Sequence, residues 1–558
     1  MAKNKYSYIL AAILALELIV FTGFSYFSAA GDWRNQVLGI GITTENDPGG
    51  PYLLSSIDLM EGDTAPFVAG SHPGITLQYY LHVLLKSGYY LFNSDDSLSF
   101  QAYAAHNIES IFFWAKLGIS ILQILSFVLL LYFTSLFFSK ETAALATIFY
   151  ATSFAPMYYF SKISPEPVIV IIFLAILIIL YKIHDRTIPA NSLQGALAVL
   201  ALSFLSVAAI ITKLQILAIT PVAVLCYLIY ANWKNACSKR ISYISVAYMP
   251  LLFLLASIAL FFPFSAKVDW PEYFIFWRGV MQGNYHAYGA PRETFSLYNF
   301  LFNNCVGIFL DYLYHIKVFL TTNLIYHFRT NNVTSLFMLT EWSVLVTAAY
   351  GGFHYFTRNR DRLSFWIFPG CFLIFNLATY IVKPRFNYLF LFQVIFSVFA
   401  AYGLGVLFDR YLIKTKYSRI LAIATAILVM HYTAVYSVIN SRFDDVKTYR
   451  SRCRPYYEAT NKLKHDQRLG IVFTGSKPVE TLPLKLSWDF IDQESPIMRE
   501  ISSTYVQLSR DKLLSMENKA ELTDYLDKNR ISLIIETSAS GQPLRESIPA
   551  NKWVENQF

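Results

Sequence analysis

Long apolar runs separated by short charged connections dominate the pattern of this chain. Runs of roughly 18 or more residues recur, each long enough to cross a ~30 Å hydrocarbon core, and they predict about eleven spans. The runs lie near residues 6–28, 110–138, 141–160, 164–182, 192–211, 213–231, 242–264, 335–356, 363–382, 386–408 and 418–438. The connections at 139–141, 182–190, 231–241, 357–363 and 408–419, with the N-terminus, hold fifteen Lys/Arg and four acids. That excess of bases predicts that they face the cytoplasm. An odd number of spans then sets the C-terminus outside. The first run is long, with no small-residue cleavage site beyond its end, and reads as a span rather than a cleaved signal.

Three stretches interrupt the pattern on the predicted external face. The first, 31–107, carries eight acids (Asp32, Glu45, Asp47, Asp58, Glu61, Asp63, Asp95, Asp96) against Arg34 and Lys86. Its centre reads T-E-N-D-P-G-G-P-Y, and S-H-P-G follows. Such an acidic, Gly/Pro-bent loop is where function concentrates. The second, 265–334, mixes apolar residues with Asp311, His315, Lys317 and His327, which predicts a helix lying at the membrane interface. The third is the tail, 441–558. It has eighteen Lys/Arg and seventeen Asp/Glu, strand-like runs at Gly470–Thr474 and Ile531–Glu536, and a helix-like run at Glu517–Asn529. That reads as a small soluble α/β domain.

Composition agrees with a membrane protein. Of the 558 residues 55% are hydrophobic, 17% aromatic and only 15% charged, against about 25% charged in soluble domains. The net charge of +8 is not a nucleic-acid signal, because the bases sit in short connections between spans. Five cysteines show no paired spacing, no Cys/His cluster has zinc-ligand spacing, and no Walker, G-x-G-x-x-G or G-x-S-x-G motif occurs. The fold class predicted is an all-α polytopic membrane protein with interfacial helices in its first external loop. Residues 1–440 form the membrane module and 441–558 the soluble domain.

Isolated charges at the predicted outer ends of spans carry the chemistry. Lys162 and Glu166 stand in S-K-I-S-P-E-P, Lys213 in I-T-K-L-Q, and Lys383 and Arg385 in V-K-P-R-F-N-Y. At depth each would cost something like 2.5–3.5 kcal/mol, so such residues usually have a partner. An acidic loop facing isolated cations fits group transfer from a lipid phosphate. A loop carboxylate can take the proton of an acceptor hydroxyl, while Lys and Arg hold the phosphate as charge develops on it. With several cations on the phosphate, no divalent metal and no other cofactor is expected.

These motifs, in this order and on one face, resemble the polytopic C-type-fold glycosyltransferases that use polyprenyl-phosphate sugars, such as protein O-mannosyltransferases and the lipid A aminoarabinose transferase. The resemblance covers roughly residues 6–410 and rests on T-E-N-D-P-G-G-P-Y-L-L, L-M-E-G-D, S-H-P-G-I-T, S-P-E-P, T-K-L-Q and K-P-R-F-N-Y. It implies an extracytoplasmic, inverting transferase that moves a sugar from a polyprenyl-phosphate donor to a glycan, lipid or protein acceptor. The loop acid would be the base. Many members carry Asp-Glu where this chain has Asp47-Pro48, so Asp47 acts either alone or with Glu45.

Each candidate has a plainer alternative. Asp47 can cap an interfacial helix beginning near Pro51. Asp58, Glu61 and Asp63 belong to the polar face and end of a Tyr52–Leu59 helix. His72 can be a turn residue before Pro73-Gly74. Lys162, Lys213, Lys383 and Arg385 can snorkel to the headgroups, and Glu166 can serve only to pair with Lys162 at i+4 on one helix. Two other functions stay open: a lipid-linked glycan flippase or transporter, and a ligase or polymerase using a pyrophosphate-linked glycan.

Overall fold

The structure is a computed structural model. Apart from isolated positions it describes residues 49–59, 74–92, 98–153, 163–185, 187–189, 192–212, 220–239, 243–265, 333–382, 390–409, 454–460, 462–464, 466–473, 503–516, 518–537 and 546–557. The predicted spans near 6–28 and 418–438, and most of 265–334, lie outside the described residues.

Three helices belong to the first loop: α1 (Gly49–Asp58), α2 (Ile75–Phe92) and α3 (Phe100–His106). The membrane module continues as α4 (Ile108–Ser135), α5 (Lys140–Ala151), α6 (Glu166–His184), α7 (Leu193–Thr212), α8 (Thr220–Lys239) and α9 (Tyr243–Ser265). It then runs through α10 (Val333–Arg358), α11 (Leu363–Val382) and α12 (Phe390–Leu407). Each apolar run predicted between 110 and 408 is thus represented by a helix among the described residues. Ser110–Ser135, Glu166–His184 and Leu193–Thr212 are long and apolar enough to cross a membrane, and four further helices carry shorter apolar stretches. This is a helical membrane protein. The count of about eleven spans rests on the sequence.

One helix end is closed by local hydrogen bonds. Within the run 141–160, α5 spans Lys140–Ala151, and most of 154–160 lies outside the described residues. The end of α5 is closed by Thr152 N–H on the Ile148 carbonyl (2.9 Å) and Ser153 N–H on Tyr150 (3.1 Å).

The two ends of the bundle differ chemically. At one end the rings of Phe137, Tyr181, Tyr355, Phe365, Trp366 and Phe399 interlock, with Phe137 4.3 Å from Tyr181 and Trp366 4.8 Å from Phe399 between centroids. This cluster borders the basic connections 139–141, 182–190 and 357–363, as an interfacial aromatic belt would. Nearby, α10 and α12 cross in close contact at Gly351 and Gly403. A Cβ on Gly351 would fall 2.1 Å from the Phe399 carbonyl oxygen, and one on Gly403 2.4 Å from that of Thr347. Small residues let membrane helices approach this closely.

The tail forms a four-stranded sheet of order β2-β1-β3-β4, with β1 (Arg468–Phe473) between β2 (Tyr505–Ser509) and β3 (Ile531–Thr537), both parallel to it. The short β4 (Ile548–Pro549) runs antiparallel to β3. Helix α13 (Arg454–Thr460) covers one face through Tyr456 and Ala459, against Leu469, Ile471 and Phe473. After the short α14 (Arg510–Leu514), α15 (Lys519–Lys528) and α16 (Ala550–Glu555) cover the other face through Leu522, Leu526 and Trp553, against Val472 and Ile534. Both faces are buried, which explains the nearly continuous apolar runs of β1 and β3. Asn518 starts α15 by accepting the Glu521 N–H at 2.8 Å.

Candidate active site

The loop helices form their own core at the end of the bundle opposite the aromatic cluster. Tyr52, Leu53 and Ile57 of α1 pack with Leu77, Leu81 and Leu85 of α2, Phe100 and Ala104 of α3, and Ala115 and Ile119 of α4. Helix α1 begins at Gly49, two residues earlier than its Pro suggests. Its second turn is pinned to α2 by His82 Nδ1, 2.7 Å from the Ser56 carbonyl.

Gly74, last residue of S-H-P-G, is the joint of this arrangement. Its φ is +54°, and a Cβ there would meet Tyr52 Cε1 at 2.2 Å. Only glycine meets both requirements. Its N–H donates to the Thr212 carbonyl at 3.1 Å, and the Thr76 and Thr212 hydroxyls lie 2.6 Å apart. Thr212 ends α7 in I-T-K, directly before Lys213. Ile163, the residue after Lys162 in S-K-I-S-P-E-P, is wholly buried in the same core. Three segments that are far apart in sequence thus meet at one corner.

Of the predicted site residues the structure describes Glu166. It is the first residue of α6, after Pro165, and is wholly buried. Residues 163–165 are not helical, so the reading of Glu166 as an i+4 partner of Lys162 on one helix does not hold. Pro at the helix start fixes that boundary. Asp47, Glu45, His72, Lys162, Lys213, Lys383 and Arg385 lie outside the described residues. Asp58 does not sit on a polar face: it is buried at 3% exposure, because the end of α1 is covered on the side that faces α2.

Lys116 is a residue that hydropathy hides. It lies two turns inside α4 and is 1% exposed. The signal for it is a lone cation inside an apolar run, W-A-K-L-G-I-S, where charge is costly unless used. Below it on α4, Ser120, Gln123 and Ser126 are also fully buried. Ser120 donates to the Lys116 carbonyl at 3.1 Å, Gln123 Nε2 to Ser126 at 3.3 Å, and Ser153 to Gln393 of α12 at 3.4 Å. A polar spine therefore runs from the loop core into the bundle.

No family model and no curated protein matches the sequence. Solved structures do. ArnT from Cupriavidus metallidurans bound to undecaprenyl phosphate is similar at 11% identity, with a TM-score of 0.49 over 96% of this chain and 93% of that one. The Archaeoglobus fulgidus oligosaccharyltransferase in the apo form is similar at 13% identity, with a TM-score of 0.46 over 95% of this chain and 69% of that one. These are C-type-fold glycosyltransferases, the class that the motifs of this chain resemble.

The expectation that no divalent metal takes part is corrected here. The archaeal oligosaccharyltransferase was also solved in complex with Zn and sulfate, similar to this chain at 13% identity with a TM-score of 0.39 over 94% of this chain and 67% of that one. Cations on a phosphate and a bound metal are not alternatives, which the charge argument had assumed. Among the described residues no three His, Cys, Asp or Glu converge on a point where a metal could bind. The loop acids Glu45 and Asp47 are not among them.

Proposed function

We propose that this chain is a membrane glycosyltransferase that moves a sugar from a polyprenyl-phosphate donor to an acceptor hydroxyl on the extracytoplasmic side. The observation that carries the reading is the corner where Tyr52, Gly74, Ile163 and Thr212 meet. It gathers the flanks of the acidic loop and of two of the cation-bearing motifs at one end of the bundle. Asp47 precedes Gly49 by two residues, His72 precedes Gly74 by two, and Lys162 and Lys213 adjoin Ile163 and Thr212.

In this reading Asp47, or Glu45 beside it, takes the proton of the acceptor hydroxyl. The hydroxyl oxygen forms a bond to the anomeric carbon as the bond from that carbon to the phosphate oxygen breaks. The electron pair leaves with the lipid phosphate and the configuration inverts. Lys213, Arg385, Lys383 and Lys162 bind the departing phosphate, with Arg385 suited to a bidentate grip. Glu166 and His72 position these groups. ArnT was solved with undecaprenyl phosphate, a donor-side ligand of the same kind.

The test is reconstitution of the full chain in liposomes with a labelled polyprenyl-phosphate sugar. Label appearing on an added acceptor supports the transferase. Movement of intact labelled lipid between leaflets without acceptor, and no transfer with it, would replace this reading by the flippase. Transfer only from a pyrophosphate-linked glycan would replace it by the ligase.

A further inference from the structure

A cleft of about 450 Å³ lies between the end of α3 and the sheet domain. His106 closes it from α3, while Arg468, Thr504 and Arg530 line it from the beginnings of β1, β2 and β3. These are the amino ends of three parallel strands. Open parallel sheets receive ligands at the opposite, carboxyl end, so the domain's own architecture does not account for this polar edge. The volume falls within the about 300–1,000 Å³ of small-ligand sites.

Arg530 is the informative residue. Helix α15 ends at Lys528, Asn529 caps it, and Arg530 follows at φ 56°. Its N–H donates to Asp527 (2.9 Å) and its carbonyl accepts from Arg468 N–H (2.8 Å). This position after a helix favours glycine, and an arginine holds it only at a cost in free energy. The Arg530 side chain lines the cleft from this position. Beside it, Arg468 is oriented by Nε donating to the Ser503 carbonyl at 2.8 Å.

We propose that this cleft binds an acidic saccharide, a sugar bearing phosphate or carboxylate, as the head of the acceptor. Lys528 is held by Asp524 at 2.7 Å, so the guanidinium groups of Arg468 and Arg530, beside the acids Asp466 and Glu500, are the cations in the lining that would meet an anion. Guanidinium groups take phosphate or carboxylate bidentately. The remaining lining is amide, hydroxyl and carboxylate, suited to sugar hydroxyls, and no apolar side chain is present to receive a lipid tail. The helix that carries His106 packs into the loop core with Tyr52, so a head group held here lies beside the proposed reaction corner. That the saccharide is the acceptor rests on the transferase reading; its binding does not.

The test is calorimetric titration of the full-length protein in nanodiscs with a hexose 1-phosphate, a hexuronate, a neutral hexose and inorganic phosphate. Both acidic sugars should bind, with the neutral hexose and bare phosphate at least tenfold weaker. Arg530→Gly should weaken acidic-sugar binding tenfold or more while leaving the unfolding temperature unchanged or raised, because glycine suits the backbone there. Wild-type affinity in Arg530→Gly, or equal affinity for the neutral hexose or for phosphate alone, would overturn the proposal. Acidic-sugar binding by a chain that transfers no sugar would retire the transferase reading alone.

Discussion

Gly74→Ala attacks the joint between the acidic loop and the membrane helices, and its effect follows from two independent terms. At φ +54° an alanine pays about 1–2 kcal/mol for left-handed backbone. Its Cβ would also fall 2.2 Å from Tyr52 Cε1, and overpacking of this kind typically costs a further 1–3 kcal/mol. Together they weaken docking of the loop by about 2–5 kcal/mol, roughly 30-fold to several thousand-fold in the docked equilibrium. Hydrogen exchange with mass spectrometry on the full chain in nanodiscs reads this directly. Peptides covering 49–58 and 75–85 should lose protection, while those of α10 and α12 keep theirs. Adding Tyr52→Ala to Gly74→Ala should return part of the clash term and leave the backbone term, a coupling that the double-mutant cycle isolates. Unchanged protection in Gly74→Ala, or a double variant that is strictly additive, would refute the reasoning.

Other variants test other parts of the structure. Thr76→Val should loosen the same joint by about 0.5–1.5 kcal/mol, the usual net worth of a hydrogen bond, seen as a modest rise in exchange at 75–85. Gly351→Leu or Gly403→Leu should prevent the α10–α12 crossing and lower the thermal midpoint and folded yield, whereas Gly405→Ala, which meets nothing within 4 Å, should not. Gly470→Val in β1 would place its Cβ 2.8 Å from Ile531 Cγ2, and should destabilise the sheet domain by about 1–3 kcal/mol in denaturant unfolding followed at Trp553. Lys213→Ala and Arg385→Ala should each reduce kcat/KM for the lipid donor by roughly 10- to 150-fold, the loss of one charge-assisted contact of about 1.5–3 kcal/mol.

Hydropathy carried most of the helical plan, because a membrane span must satisfy its backbone internally and therefore declares itself by length. The strands and helix of the tail were legible for a related reason: Leu469 to Phe473 and Ile531 to Ile535 are buried on both faces, so they read as short apolar runs between turn residues. What hydropathy missed depends on single contacts. The end of α5 at Ala151 is set by capping bonds from Thr152 and Ser153. Asp58 and Lys116 are buried because of what packs across them, and a periodic pattern does not encode a neighbour. The docking of Gly74 on Thr212 joins residues 138 apart in sequence, and only its glycine hinted at it. The metal expectation failed differently, since it argued from charge balance where a charge count does not decide between cations and a metal.

The most direct measurement of the central claim is transfer of label from a polyprenyl-phosphate sugar to acceptor by Asp47→Asn in proteoliposomes, beside the wild-type chain. Removal of a general base should lower the rate by about 10²- to 10⁴-fold, with donor binding and the exchange protection of residues 49–58 unchanged. A rate within a few-fold of wild type in Asp47→Asn, and again in Glu45→Gln with Asp47→Asn, would contradict the assignment of this corner as the place where the sugar is transferred.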